Sequence, residues 1–369
     1  MQWQYNDKRT RIITGPVNRH KKITGHRFSS VLGLNKYQTP FGAWCEIMGL
    51  VKLPFEDNKY TIAGKIIEPK QIEYAKKFFP NIMSTKEYYG NNFTEYQYSN
   101  YKDLNRIFDG VRDFVSTKND NVTIVMNGEC KTSSKPEDWV NNQAPIDYTC
   151  QLMLYLYLDN IDKGLFVTSF LSPMDYNHPE NYVVNEENTK FIVKKLSECY
   201  IPMPHDEPSV SDEYKGDWTT NDIQFGGVED AVAYCEKWWE TYVESGISPE
   251  FDEKRDKEYL DIIRASQPCE DNELEDVCEQ AITLYKEIKQ VEETSGLNRL
   301  NNELKILEKN IKIKMIEKDI FACGKYTLKR TSKEKFNEKS FKEQYGKLYD
   351  QFVEIEDSYT LSKKTKEEE

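Results

Sequence analysis

The chain has 369 residues, of which 38% are hydrophobic and 13% aromatic, enough for one enlarged domain or two, and this excludes global disorder. Acidic residues number 63 against 50 basic, and the net charge of −13, taken over the whole chain, argues against a nucleic-acid partner. No run of about 18 apolar residues exists, and the polar opening Met1–Arg11 has no apolar core of a secretory leader, so neither a membrane span nor a signal sequence is expected.

In chain order, the first element is a basic arm. Met1–Lys36 holds eight Lys or Arg against the single acid Asp7, a net +7 that could track a phosphate backbone. Thr39–Leu50 reads as a helix, with Phe41, Trp44, Cys45 and Met48 at helical spacing. Thr61–Phe79 reads as another, in which Pro69 either makes a kink or opens a new helix at its first turn. The period then changes. Lys86–Tyr89, Glu95–Tyr98, Arg106–Val115 and Val122–Lys131 read as strands separated by Asn- and Gly-containing turns. Ile146–Leu158 is helical, Gly164–Leu171 is a strand, and Glu187–Cys199 and Glu229–Glu244 read as helices. This order predicts an α/β core with a mixed central sheet flanked by helices.

The later chain differs. Asp206–Glu293 carries 26 acids against 8 bases, so the negative charge is concentrated there, while Asn301–Lys347 returns to a net +6. Leu274, Val277, Ala281, Leu284, Ile288 and Val291, then Leu297, Leu300, Leu304, Leu307 and Ile311, recur at alternating spacings of three and four around Thr294-Ser295-Gly296. That is the pattern of an antiparallel helical hairpin with a coiled-coil-like seam. Phe321–Arg330 reads as a strand, Ser340–Phe352 as a short helix, and Ser362–Glu369 as a frayed tail. The expected organisation is a core over residues 1–265 that includes the basic arm, a hairpin over 270–320, and a small extension over 321–369 with a disordered tail.

Eight scattered cysteines without a C-x-x-C pair suit reduced thiols in a cytosolic chain and argue against a zinc knuckle. Only His20, His26, His178 and His205 occur, with no H-E-x-x-H, so carboxylates must carry most of any catalysis. The segment Val122–Lys131 ends in Gly128-Glu129-Cys130-Lys131. Side chains alternate along a strand, so Glu129 and Lys131 share a face. A carboxylate that holds a divalent cation beside an ammonium that places a water suits phosphodiester hydrolysis. E-x-K occurs five times in the chain, so context must select this copy: it ends an apolar strand, and a second predicted strand ends nearby at Phe108-Asp109-Gly110. Two carboxylates in one cleft require a cation to stay ionised, and an oxygen-only ligand set suits Mg²⁺ or Mn²⁺ over Zn²⁺. The alternative is a β-turn aspartate and a surface Glu–Lys pair.

Several motifs in order resemble the lambda exonuclease and YqaJ viral recombinase group of the PD-(D/E)XK nucleases. They are Ile23-Thr24-Gly25-His26-Arg27 with Val31-Leu32-Gly33-Leu34, Thr39-Pro40 leading to Trp44, Gly64 to Glu68-Pro69, Phe108-Asp109-Gly110, Glu129-Cys130-Lys131, and Tyr148 with Gln151. The match spans residues 20–200. The resemblance implies that Asp109, Glu129 and the backbone carbonyl of Cys130 ligate Mg²⁺, with Mn²⁺ able to substitute and two ions expected. Lys131 would place the attacking water, Glu68 would complete the acidic site, and Gln151 and Tyr148 would line it. Arg19, Lys21, Lys22, His26 and Arg27 would contact DNA and its 5′-phosphate, although His26 stands where the family usually has Ser. The implied activity is 5′→3′ digestion of one strand of linear double-stranded DNA in phage-type recombination. Implied partners are DNA ends, a single-strand annealing recombinase and further copies of the chain, as in a trimeric ring, in the cytoplasm of a bacterial host. Two other readings stay open: a structure-specific or defence nuclease on the same core, and an inactive DNA-binding or assembly protein that works through the hairpin.

Overall fold

The computed structural model describes residues 2–17, 20–53, 57–79, 81–90, 104, 106–119, 122–210, 224–267, 271–292, 298–336 and 353–363. Its larger unit, Arg11–Pro249, is built on one five-stranded sheet with strands in sequence order: β1 Ile82–Ser84, β2 Phe114–Thr117, β3 Ile124–Ser133, β4 Lys163–Phe170 and β5 Thr189–Lys195. Neighbours run antiparallel except β3 and β4, which are parallel. A parallel pair needs a crossover, and helix Ile146–Asp159 supplies it. The helices of this unit include α1 Gly25–Val31, α2 Pro40–Ile47, α3 Lys59–Ala75, α4 Ile146–Asp159 and α5 Val228–Trp238. The expected mixed sheet flanked by helices is what forms.

The two faces of β3 are covered by different helices. Ile72 and Ala75 of α3 share a buried cluster with Met126, Leu165, Val167 and Phe114, against which Cys130 packs. On the other face, α4 bonds to β3: Asn127 donates to the Tyr155 carbonyl at 3.3 Å, and Gln151 donates to Glu129 at 3.0 Å. Asn58 caps α3, its side chain accepting from the N–H groups of Tyr60 and Thr61. Pro69 lies inside α3, which runs unbroken past it; of the two outcomes expected at this proline, no new helix begins there.

Gly128 is paired with Phe114 across the β2–β3 ladder, and its missing side chain leaves room for the Phe114 ring to lie over it. A Cβ at that position would lie 1.9 Å from Cζ of Phe114, whose ring is fully buried. Gly128→Ala is therefore expected to cost about 1–3 kcal/mol in urea unfolding through overpacking. Adding Phe114→Leu should recover part of that loss; an unaltered midpoint for the single variant would contradict the packing described.

Several expected strands and helices come out otherwise. Lys86–Tyr89 forms part of a short helix, Thr85–Tyr89, because Ser84 and Glu87 make a reciprocal capping box. Glu187–Cys199, read as a helix, contains β5: its Thr-Lys-Phe-Ile-Val run adds an outer strand to β4, and exposed Lys190 and Lys195 suit a sheet edge. Arg106–Val115 becomes a strand only from Phe114, and its first half makes a single parallel bridge, Ile23 to Phe108. Glu95–Tyr98, the hairpin turn Thr294–Gly296 and Ser340–Phe352 lie outside the described residues.

The second unit comprises Met1–Thr10 and Glu250–Glu369, so the division falls at Pro249/Glu250 and takes in the start of the basic arm, whereas the sequence placed it near 265. Its helices are α6 Lys257–Ala265, α7 Asn272–Glu292 and α8 Asn298–Glu317, and its strands β6 Ala322–Cys323, β7 Tyr326–Phe336 and β8 Val353–Lys363 form an antiparallel sheet. Helices α7 and α8 make the antiparallel hairpin, with Lys314 near the end of one bonded to Glu273 near the start of the other at 2.9 Å. Leu274, Cys278, Ala281, Leu304, Ile311 and Met315 of the hairpin share one core with Phe321, Tyr326 and Leu328, so hairpin and extension are packed together. Buried Arg264 is held by both oxygens of Glu253 and by the Tyr5 hydroxyl. Among the described residues no helix is long and apolar enough to cross a membrane.

Candidate active site

The centre of the site is the middle strand of the sheet. Glu129 of β3 is 1% exposed, and its Oε2 accepts from Lys131 Nζ at 2.8 Å and from Gln151 Nε2 at 3.0 Å. Gln151 closes the triangle, its Oε1 accepting from Lys131 at 3.1 Å. One amide thus serves an anion with its NH₂ and a cation with its oxygen, which fixes its orientation. Tyr155, one turn further along α4, accepts from Gln151 Nε2 at 3.2 Å. Among the described residues nothing donates to Glu129 Oε1, although it is buried.

Backbone contacts around Tyr155 account for two motif glycines. A Cβ at Gly25 would fall 2.5 Å from the Tyr155 hydroxyl, and one at Gly110 would fall 2.4 Å from its Cε1. The segments are also paired: Ile23 N–H donates to the Ile107 carbonyl and Asp109 N–H to the Ile23 carbonyl. The Thr-Gly and Asp-Gly pairs therefore wrap the tyrosine that holds Gln151.

The acid grouped with Glu129 is Asp113. It sits immediately before β2, its N–H donates to the Gly128 carbonyl at 3.0 Å, and its Oδ2 accepts from Cys130 N–H at 2.7 Å. Burial raises the Asp113 carboxyl above the ordinary aspartate value, with Lys131 opposing. Burial, then Asp113, raises Glu129 to about 8 against the pull of Lys131, and burial with Asp113 raises Glu68 to about 7. Desolvation lowers Lys131, but Glu129 and Asp113 outweigh it and hold the ammonium above its usual range. Asp109, the sequence candidate, instead closes its own turn, its Oδ1 accepting from Gly110 N–H at 2.8 Å. Asp113 could have been found as an acid directly before a buried strand that pairs with the Glu129 strand.

Gln71 of α3 also escaped the sequence reading. Its buried Nε2, which has two N–H groups to give, lies 2.8 Å from the Lys131 carbonyl, 2.9 Å from the Val167 carbonyl and 3.0 Å from Ser169 Oγ. It pins the end of the E-x-K segment to β4. The signal was an amide inside the otherwise apolar stripe Ala63, Ile67, Ile72 and Ala75.

The remaining candidates surround this core. The Tyr148 ring stacks on Trp139 with centroids 5.8 Å apart, and Lys131 Nζ lies 4.9 Å from its centroid. Glu68 of α3 feels both Asp113 and Lys131. His26 is within electrostatic reach of Glu46, Arg27, Asp147 and Lys131. Arg27 is engaged internally, by Glu46 at 3.0 Å and the Lys22 carbonyl at 3.1 Å. Lys21 is exposed, and its N–H donates to the Ile47 carbonyl. Arg19 lies outside the described residues.

The donors Glu68, Asp113, Glu129 and the Cys130 carbonyl are all oxygens, as a hard divalent cation requires. The buried, unsatisfied Oε1 of Glu129 fits such a ligand, and three acids raised by burial, with Asp113 adding to the rise of Glu129 and Glu68, fit a place for positive charge. Among the described residues no three His, Cys, Asp or Glu side chains already converge as around a bound ion.

No protein-family model matches the chain. It is 27% identical over 271 residues to the uncharacterized protein MG373 of Mycoplasma genitalium, covering 63% of this chain and 84% of that protein. To the homolog of MG373 in Mycoplasma pneumoniae it is 28% identical over 219 residues, covering 47% and 72% respectively. Among solved structures, it is similar to a phage related exonuclease from Haemophilus somnus, with a TM-score of 0.33 and 16% identity over 48% of this chain and 85% of that one.

Proposed function

We propose that the larger unit is a divalent-metal-dependent deoxyribonuclease of the PD-(D/E)XK type, acting 5′→3′ from the ends of linear duplex DNA. The observation that carries this reading is the buried triangle of Glu129, Lys131 and Gln151, with a free carboxylate oxygen, beside Asp113 and Glu68.

When bound, Mg²⁺ held by Asp113, Glu129, the Cys130 carbonyl and Glu68 supplies positive charge to the phosphate and acidity to a water. Lys131 stays protonated at neutral pH, so it acts as a donor that places the incoming oxygen, and not as a general base. Gln151 keeps the Lys131 ammonium and the Glu129 carboxylate in one geometry. Lys21, Lys22, His26 and the arginines at 19 and 27 would meet the 5′-terminal phosphate. On this reading the surviving 3′-ended strand passes to a single-strand annealing protein in a bacterial cytoplasm, and the working form is a homo-oligomer.

The test uses linear duplexes labelled at the 5′ or the 3′ end, with and without a 5′-phosphate, and a closed circular duplex. Labelled mononucleotide released first from 5′ ends, with circles spared, is the expected result. Equal cutting of circles would favour the structure-specific alternative, and no cutting in Mg²⁺ would remove the enzyme.

The raised carboxyls give a linked prediction. Folding favours their neutral forms, so between the ordinary glutamate range and about 8 the metal-free chain loses stability as pH rises. Metal ligation needs the ionised forms. Mg²⁺ is therefore expected to raise the melting temperature more at alkaline than at mildly acidic pH, and Glu129→Gln should flatten that difference. Equal shifts at both pH values, measured by calorimetry, would contradict the assignment.

A further inference from the structure

We propose that Tyr155 is a positioning residue of this site: its hydroxyl takes the second N–H of the Gln151 amide and so leaves one oxygen of Glu129 open. The proposal rests on the nuclease reading above and adds the group that holds its amide in place.

Gln151 Nε2 carries two N–H groups. One is directed at Glu129 Oε2, 3.0 Å away, while the amide oxygen accepts from the Lys131 ammonium at 3.1 Å. These two charges decide which end of the amide faces which, because a reversed amide would set its oxygen on the carboxylate and its NH₂ on the ammonium. They leave the second N–H. Tyr155 lies one helical turn further along α4, where side chains four apart meet, and its hydroxyl oxygen accepts from Nε2 at 3.2 Å. The competing acceptor on the same carboxylate is Glu129 Oε1, which is buried and has no hydrogen-bond partner among the described residues. An N–H drawn there would occupy the oxygen that the proposed function gives to a cation.

The tyrosine itself has little freedom to move away. It is 3% exposed, and Asn127 donates to its carbonyl at 3.3 Å. Backbone closes on the side chain at two points, since a Cβ at Gly25 would fall 2.5 Å from the hydroxyl and one at Gly110 would fall 2.4 Å from Cε1. Gly25 also backs the amide: the same Cβ would fall 2.6 Å from Gln151 Cγ. Packing therefore holds the hydroxyl against Nε2, independently of the charges that the amide serves.

The experiment compares the full-length wild type with Tyr155→Phe, which keeps the ring in its packing and removes only the hydroxyl, with Gln151→Leu, and with the double variant. On a linear duplex in Mg²⁺, Tyr155→Phe is expected to lower kcat about tenfold at unchanged KM. In the Gln151→Leu background the same change should alter kcat by less than about twofold, because Tyr155 acts only through the amide. A readout without metal is the side-chain ¹⁵N–¹H pair of Gln151 in EDTA, identified by its loss in Gln151→Leu; Tyr155→Phe should shift one of its two protons upfield. A wild-type kcat for Tyr155→Phe, equal losses in both backgrounds, or an unmoved Gln151 pair would overturn the positioning role and leave the nuclease intact. A wild type that releases no nucleotide in Mg²⁺ would overturn the nuclease reading, and the role of Tyr155 would fall with it.

Discussion

Asp113→Asn is expected to lower metal-dependent DNA hydrolysis by about 10³-fold or more, as far as Lys131→Ala does, while Asp109→Asn stays within about tenfold of the wild type. The contrast follows from geometry. Asp113 is the aspartate whose charge reaches Glu129, Glu68 and Lys131, and its backbone is locked to Gly128. Asn at this position keeps the size and the bond from Cys130 N–H but removes the negative charge, so the fold should survive and the chemistry should not. Asp109 accepts from Gly110 N–H, a role the carbonyl oxygen of Asn also fills. Single-turnover rates on a linear duplex separate the two. If Asp109→Asn were the dead variant and Asp113→Asn the active one, the site as built around Asp113 would be wrong.

The second large effect is on stability. Arg112 has no exposed side-chain surface, and its guanidinium lies 2.9 Å from Asp159, which is 8% exposed. Asp159 also accepts from Asn127 at 2.7 Å, and Arg112 donates to the Tyr89 hydroxyl at 2.9 Å. This network ties the end of α4 to β3 just before the Glu129 segment. Burial raises the Asp159 carboxyl even with Arg112 beside it. Arg112→Ala would leave that carboxylate buried without its counter-charge, so a loss of about 3–5 kcal/mol is expected in urea unfolding at neutral pH. Without Arg112 the Asp159 pKa rises further, so the deficit should shrink as pH falls and the group protonates in the folded chain. The double variant Arg112→Met with Asp159→Leu should recover most of the loss. A single variant within about 1 kcal/mol of the wild type would show that the pair is dispensable.

Much of this architecture is legible in the chain because several signals coincide. The apolar run ending in Glu129-Cys130-Lys131 is a strand, Ile146–Leu158 is a helix, and the three-four repeat from Leu274 to Ile311 falls on the two helices of a hairpin. Readings failed where a local device decided the matter. The Ser84–Glu87 capping box turned a β-rich stretch helical, and pairing with β4 made a strand of Thr189–Lys195, whose apolar spacing also suited a helix. At the site, Glu129, Lys131, Gln151, Tyr148 and Glu68 are brought together. The step from Asp109 to Asp113 depended on where β2 begins, and strand ends are set by tertiary pairing that periodicity does not encode. Gln71 was missed because one amide within an apolar helix stripe does not by itself reveal which acceptors it meets, here the Lys131 and Val167 carbonyls. Net charge misleads for a related reason: part of the acidity belongs to residues proposed to hold cations.

The central claim is that Lys131 and its acids form a hydrolytic site that depends on a divalent cation. Its most direct measurement is release of acid-soluble nucleotide from a linear duplex by wild type and Lys131→Ala, each in Mg²⁺ and in EDTA. Release by the wild type in Mg²⁺ alone, with the variant reduced about 10³-fold, is the predicted result. Release that persists in EDTA, or a Lys131→Ala variant as fast as the wild type, would contradict it.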